Sequence, residues 1–288
     1  MLQVARLAPN LLCEAAERVV NFFQEQINED GGVRDRAGQS DLYYTVFGLD
    51  GLIALRQELP VQRVRPYLEK FGDGEDLDLV HLACLARCWG ALPKRSITSE
   101  ISRRLGDRLN SYRTSNGGYG PTPGSPSGTV YHGFLALGAH QDLGINLPDP
   151  EGLVQSITSL HLEGGAFAGQ QGVPIGSTPT TAAALTLLEY LHAPIPPSAS
   201  DWLLDQASPE GGFRAGKDTP IPDILSTATA LHALAGTKVP FEHLKETTLD
   251  FLDTLWTSQG AFYGNWTDDV VDCEYTFYAL LALGHLSL

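Results

Sequence analysis

Two hydrophobic patterns alternate along the chain. In the first, apolar residues recur three and four apart with charge on the other side. The segment 11–27 does this, with Glu14, Glu17, Arg18 and Glu25 on its polar face. That spacing predicts an amphipathic helix between water and a core. The segments 61–71, 97–112, 150–162, 198–207 and 241–256 are of the same kind. In the second pattern the stretch is apolar nearly all round, as in Thr181-Ala182-Ala183-Ala184-Leu185-Thr186-Leu187-Leu188. A helix without a polar face is expected to be buried.

The buried type follows a recurring loop. Glu163-Gly164-Gly165-Ala166-Phe167 leads through a polar stretch to Ser177 or Thr178, either of which suits a helix cap. The glycine pair is expected to stop the preceding helix, because glycine enters the left-handed region without a side-chain clash. Copies begin at Gly31-Gly32, Gly117-Gly118, Gly211-Gly212 and Gly260-Ala261. Aligning the apolar helices puts Asp41, Thr129, Ser177, Asp223 and Asp272 in one column, at steps of 88, 48, 46 and 49 residues. The first step is double, so a further copy is expected inside it. The glycine-containing stretch 71–78, followed by an apolar segment 79–89, fills the gap.

Six units of two helices follow. The first buried helix is predicted over 41–59, stopped by Pro60. Buried helices inside and amphipathic ones outside make an all-α fold, an α/α toroid closed as an α6/α6 barrel, in one domain over residues 1–288. The alternative is an open solenoid. That would want a polar capping repeat at each end, and the last unit is as apolar as the middle ones.

At 288 residues and 43% hydrophobic, the chain is long enough for one large core. No apolar run approaches the roughly 20 residues that span a bilayer, and residues 1–10 lack the order of a secretion signal. Cys13, Cys84, Cys88 and Cys273 show no disulfide framework, so a reducing cytoplasm is expected. A net charge of −15 argues against nucleic acid and against docking on anionic lipid. Arg34 and Arg36 form a close arginine pair in a glycine loop, either a solvated turn or an anion contact at the mouth of the ring.

The Gly-Gly-aromatic-x-Gly loop before a buried helix resembles the prenyltransferase and squalene-oxidase repeat. That repeat builds protein prenyltransferase β subunits and the domains of squalene and class II terpene cyclases. The resemblance covers about residues 10–288. It implies a toroid with an aromatic-lined cavity that holds an isoprenoid chain. Tyr43, Tyr44, Tyr131, Tyr275 and Tyr278 are the candidate lining, with Phe213, Phe262 and Trp266 in loops. Aromatic faces suit an apolar chain or a carbocation, and core packing accounts for them equally well.

In protein prenyltransferases an Asp-x-Cys and a histidine at the starts of successive inner helices hold zinc, which activates the acceptor thiol. Here Asp272 and Cys273 resemble the first element, but the cysteine directly follows the aspartate. Tyr44 stands where the histidine belongs, while His132 keeps it in another unit; the unit before that one offers Asp76, Asp78 and His81. The resemblance thus implies zinc at one of two partial sites, Asp272 with Cys273, or His132 with Asp76, Asp78 and His81, and both are incomplete, since zinc takes four ligands or three and an open position. Class II cyclases use Asp-x-Asp-Asp, whose middle acid protonates an alkene. Asp76-Leu77-Asp78-Leu79 resembles that motif without its last aspartate, making Asp76 and Asp78 candidate acids. An acidic helix N-terminus explains the same residues, as a helix cap explains Asp272. Lanthionine cyclases and thioester domains share the architecture, but their Cys-His-Gly and Gly-Cys-Gly-Glu-Gln motifs are missing.

Three functions fit. The first is a prenyltransferase β-subunit-like enzyme acting on an isoprenoid diphosphate, with a helical α-subunit-like partner. The second is a cyclase-like lyase using Asp78. The third is a toroid that binds an isoprenoid or other apolar small molecule without chemistry.

Overall fold

The computed structural model describes residues 1–93 and 96–288. After two short turns of helix, α1 (Leu2–Ala5) and α2 (Pro9–Leu12), six helical hairpins follow. Their outer members are α3 (Ala16–Glu25), α5 (Val61–Glu69), α7 (Ser99–Ser111), α9 (Pro150–Thr158), α11 (Pro197–Leu204) and α13 (Lys245–Leu255). Their inner members are α4 (Leu42–Ala54), α6 (Leu79–Ala91), α8 (Val130–Leu143), α10 (Thr178–Tyr190), α12 (Ile224–Gly236) and α14 (Cys273–Leu286). Each inner helix packs on the next, and α14 packs on α4. The toroid is closed, as expected.

The cap column is real in structural terms. Asp41, Asp78, Thr129, Ser177, Asp223 and Asp272 each cap an inner helix by accepting a backbone N–H three residues on. This satisfies one of the free donors at a helix start. Asp78 fills the cap of the irregular second unit. A second column lies four residues beyond the caps. Thr45, Thr181, Thr227 and Thr276 each accept, through Oγ1, the backbone N–H of Val33, Phe167, Phe213 and Phe262. These threonines tie each glycine loop to the inner helix it introduces.

The glycine pairs do something other than stop helices. The outer helices end several residues earlier, and Gly31, Gly117, Gly165 and Gly211 carry a positive φ inside the turn. A Cβ added at Gly31 would stand 2.0 Å from the Arg63 carbonyl oxygen of α5. One added at Gly211 would stand 2.0 Å from that of Thr247 on α13. Each loop is therefore pressed against the outer helix of the next unit. Gly260 meets Arg18 of α3 in the same way, at 2.3 Å, so the outer layer closes where the inner one does.

Two such loops are short antiparallel pairs, β1 (Val33–Arg34) with β2 (Ser40–Asp41), and β3 (Phe213–Arg214) with β4 (Pro222–Asp223). The first inner helix is shorter than predicted: it ends at Ala54, not Leu59. Arg56 takes a left-handed φ of 58°, and the Gln57 N–H bonds back to Leu52. That is a Schellman stop, and His192 and Lys238 end α10 and α12 likewise. The first outer helix is also broken, at Cys13 with φ 49°. Residues ahead of it turn under the ring, and α1 packs on α14 and α4. Among the described residues no helix is long and apolar enough to cross a membrane.

Candidate active site in the central cavity

The inner helices surround a cavity of about 300 Å³. It is off-centre. α4, α6, α8 and α14 supply nearly all of its wall, α10 supplies only Tyr190, and α12 supplies none of the described lining. Lining residues on α4 run from Tyr43 to Ile53, about 15 Å of helix at ~1.5 Å per residue. The wall is aromatic. Tyr43 packs on Phe47 with ring centroids 5.1 Å apart, and Phe47 on Tyr278 and Phe277 at 5.6 and 5.9 Å. Tyr131 and Phe134 face them from α8.

The end of the cavity where the inner helices begin is an acidic mouth, with Tyr131 exposed there, and the other end is open as well, at Gly90, Gln141 and Tyr190. At the mouth the Tyr43 hydroxyl donates to Glu274 Oε1 at 2.6 Å. Burial pushes the Glu274 carboxyl up to about 7; the Tyr43 hydrogen bond and Arg36 oppose the rise, and Asp272 adds to it. Burial and Glu274 also drive the Tyr43 phenol far above its ordinary range. Glu274 is therefore a carboxyl group that exchanges a proton near neutrality beside an aromatic wall. The sequence analysis passed over it. Its signal was available: an acid two residues past the Asp272 cap, in a helix otherwise apolar.

The nominated site residues divide sharply. Tyr43, Tyr131 and Tyr278 line the cavity. Tyr44 and Tyr275 stand at the mouth with Arg36, whose guanidinium lies 5.2 Å from the Tyr275 ring centre. Arg36 is not free for an anion. Its Nε reaches Asp272 Oδ2 at 2.8 Å and its Nη2 reaches Asp268 Oδ2 at 2.9 Å. Arg34 donates to the Glu25 carbonyl at the end of α3. Trp266 lies outside the cavity, edge-on to Phe251 and bonded to Thr254 Oγ1.

Asp76 is exposed, away from the aromatic wall. Asp78 is a cap: burial alone would raise its carboxyl, but the His81 backbone N–H and ring hold it below its ordinary value. An alkene-protonating acid needs the opposite shift, so the geometry does not give Asp78 that role.

Zinc does not fit the residues that the resemblance nominated. The two partial sites cannot complete one another: Asp272 and Cys273 start α14 and His132 starts α8, on opposite sides of a six-helix ring. The Asp272 carboxylate is taken by the Tyr275 N–H and Arg36. The Cys273 thiol is fully buried, which pushes it well above its ordinary value, and a thiolate is what zinc binds. His132 Nδ1 is paired with Thr129 Oγ1 at 2.8 Å. Among the described residues no three His, Cys, Asp or Glu side chains form a metal-binding group.

The opposite end of the cavity holds charges that the sequence analysis also missed. Arg87 Nη2 meets Asp50 Oδ2 at 2.5 Å, and Asp142 of α8 lines the same end. Asp142 is solvent-exposed there, at an open rim of the cavity. Each is a lone charge in an apolar helix, which was the signal to follow.

Three solved structures share the architecture. Candida albicans protein geranylgeranyltransferase-I, complexed with GGPP, matches at TM-score 0.72 and 16% identity, covering 92% of this chain and 89% of that one. A type II terpene cyclase from Scytonema, in complex with geranylgeranyl dihydroxybenzoate, matches at 0.65 and 13%, covering 97% of each. An α-1,6-mannanase from Salegentibacter matches at 0.65 and 13%, covering 95% and 98%. At such identities the likeness is one of fold. No curated protein matches the chain. The model of the prenyltransferase alpha-alpha toroid domain matches residues 10–84 and 181–287, and the chain belongs to that family.

Proposed function

We propose that the cavity holds an isoprenoid chain and that Glu274, acting with Tyr43, supplies a proton to it in a terpene-cyclase-like reaction. The observation that carries this reading is the 2.6 Å Glu274–Tyr43 pair set against the aromatic wall, with the carboxyl raised to about 7. A general acid works best when its proton affinity matches the working pH. The chemistry balances simply. When Glu274 is protonated the bond turns round, its O–H donating to the Tyr43 oxygen. The Tyr43 hydroxyl proton then goes to one alkene carbon as the Glu274 proton replaces it, leaving a carboxylate at Glu274 and a cation at the neighbouring carbon. Internal alkenes attack that cation in turn, and loss of a proton ends the sequence, so product and substrate are isomers. Phe47, Phe134 and Tyr278 present faces that stabilise the cation and exclude water.

Transfer of an isoprenoid from its diphosphate is the second reading. It is favoured by the likeness to the geranylgeranyltransferase, and the resemblance drawn from the sequence adds an α-subunit-like partner to this reading. The mouth weighs against it. Arg36 is committed to Asp268 and Asp272, and Asp41 and Asp78, which cap inner helices at this end, carry the same sign of charge as the diphosphate.

Incubation with unphosphorylated polyprenes such as geranylgeraniol or squalene tests the proposal. Wild type is expected to form products of unchanged mass and altered retention, and Glu274→Gln to lose about 10²-fold or more in rate. Equal turnover by the variant removes Glu274 as the acid. Products formed only from a diphosphate, with a partner protein present, support the second reading instead.

A further inference from the structure

The cavity is as deep as the ring. On α4 its lining runs from Tyr43 to Ile53 and on α8 from Tyr131 to Asp142, nearly end to end along both helices. An exposed aromatic stands at each end of it, Tyr131 where the inner helices begin and Tyr190 at the close of α10. Beneath the ring, α1 brings Met1 and Leu2 against α14 and α4. Among the described residues that floor covers one side only. Gly90, Gln141 and Tyr190, on the side of α6, α8 and α10, are lining residues exposed to water. The cavity therefore has two rims and runs through the ring.

Gly138 is a separate observation with the same meaning. It lies inside α8, where glycine makes a weaker helix than any ordinary side chain. Its φ is not left-handed, so no turn requires it. Among the described residues, every other glycine within a helix has a neighbour that an added Cβ would meet; at Gly138 a Cβ would meet nothing within 4 Å. Packing does not ask for glycine here either. Gly138 lines the cavity, so the space its missing side chain leaves free is the bore itself. It stands about 10 Å in from Tyr131, at ~1.5 Å per residue along α8.

Size separates a chamber from a passage. At about 300 Å³ the cavity is at the small end of the ~300–1,000 Å³ usual for ligand sites. Closed, it would take only a short chain. Open at both rims it sets no upper length, because whatever does not fit emerges. The charges near the far rim do not bar the way: Arg87 is neutralised by Asp50, and Asp142 keeps its water.

We propose that the cavity is a passage through the ring and that its ligand is a polyprene longer than the ring is deep, with its reacting end at Glu274 and its other end passing Gly138 to leave beside Tyr190. This rests on the reading of the cavity as a site for an isoprenoid chain, and it adds the class of chain taken.

Competition by geraniol, farnesol, geranylgeraniol and solanesol, chains of two, three, four and nine isoprene units, against a fluorescent farnesol analogue tests it. All are presented on cyclodextrin, with each alcohol's binding to the carrier subtracted. Wild-type affinity is expected to rise about tenfold or more from geraniol to farnesol, as the buried apolar length grows. It should then level, with solanesol bound as tightly as geranylgeraniol, because units beyond the far rim gain no burial. A blind chamber gives the opposite result. Exclusion of solanesol while farnesol binds overturns the passage and leaves the isoprenoid reading standing. If none of the four alcohols binds, the isoprenoid reading fails and the passage with it. Gly138→Phe places a ring in the bore. The variant should melt at or above the wild-type temperature, since glycine is the weaker helix former. It should keep geraniol and lose about tenfold or more in affinity for geranylgeraniol and solanesol. A lowered melting temperature, or geranylgeraniol bound as wild type binds it, removes Gly138 from the bore.

Discussion

α10 and α12 form one side of the ring, and α6 and α8 the other. On the first side the repeat is complete: cap, threonine and glycine loop all recur in register. Those helices close on each other with apolar side chains, Ala184, Leu185, Ala228 and Leu231 being fully buried, and only Tyr190 reaches the cavity. On the second side the repeat decays. The threonine column is replaced by Leu82 and Gly133. In place of regular packing stand Arg87, Tyr131, Phe134 and Asp142, all lining the cavity. The family pattern matches residues 10–84 and 181–287 and passes over the stretch that carries all four. The irregular helices α6 and α8 furnish one half of the cavity, and the regular helices α4 and α14 furnish the other.

This contrast can be broken by substitution. The largest effect is expected at Arg87. Arg87→Met leaves the Asp50 carboxylate buried without its partner, and should lower stability by about 3–5 kcal/mol in chemical denaturation. Adding Asp50→Asn should restore most of the loss; failure to do so would mean that the pair is not the source. On the regular side, Leu231→Ala opens a gap in closed packing and should cost about 2–5 kcal/mol. Its ligand affinity should not change, and a large loss of binding there would erase the division between the two sides.

Glu274 gives a third test, through pH. Its folded carboxyl titrates near 7, above the ~4.3 of a free glutamate. The folded state therefore holds an extra proton between those values, and stability falls as pH rises through that window. Glu274→Gln should match wild type near pH 4 and exceed its stability by up to about 3 kcal/mol at pH 8. Parallel curves for the two proteins would place the carboxyl at its ordinary value.

Most of the architecture was legible because it is written six times. The 3.6-residue period, the cap column and the loop glycines repeat, so each copy supports the others. What the glycines do was not legible. A sequence shows Gly31, but not that Arg63 of the next unit presses on it. The Schellman stops at Arg56, His192 and Lys238 were hidden too, since none of these is glycine. At the site, Tyr43, Tyr131 and Tyr278 were found as aromatics on inner helices, through the resemblance to a family with an aromatic-lined cavity. Family motifs drew attention to Asp78 and Cys273, which local hydrogen bonding and burial take out of the chemistry. Glu274, Arg87 and Asp142 belong to no repeated column, and each becomes meaningful only when helices far apart in sequence bring it against the cavity.

The account's central claim is that an apolar chain lies against α4, α6, α8 and α14, with its reacting end at Glu274. A crystal structure with a non-reactive isoprenoid analogue tests this most directly. The chain is expected along Phe47, Phe134 and Tyr278, with one alkene next to Tyr43. Density between α10 and α12, on the outer surface, or with the aromatic wall empty would contradict it.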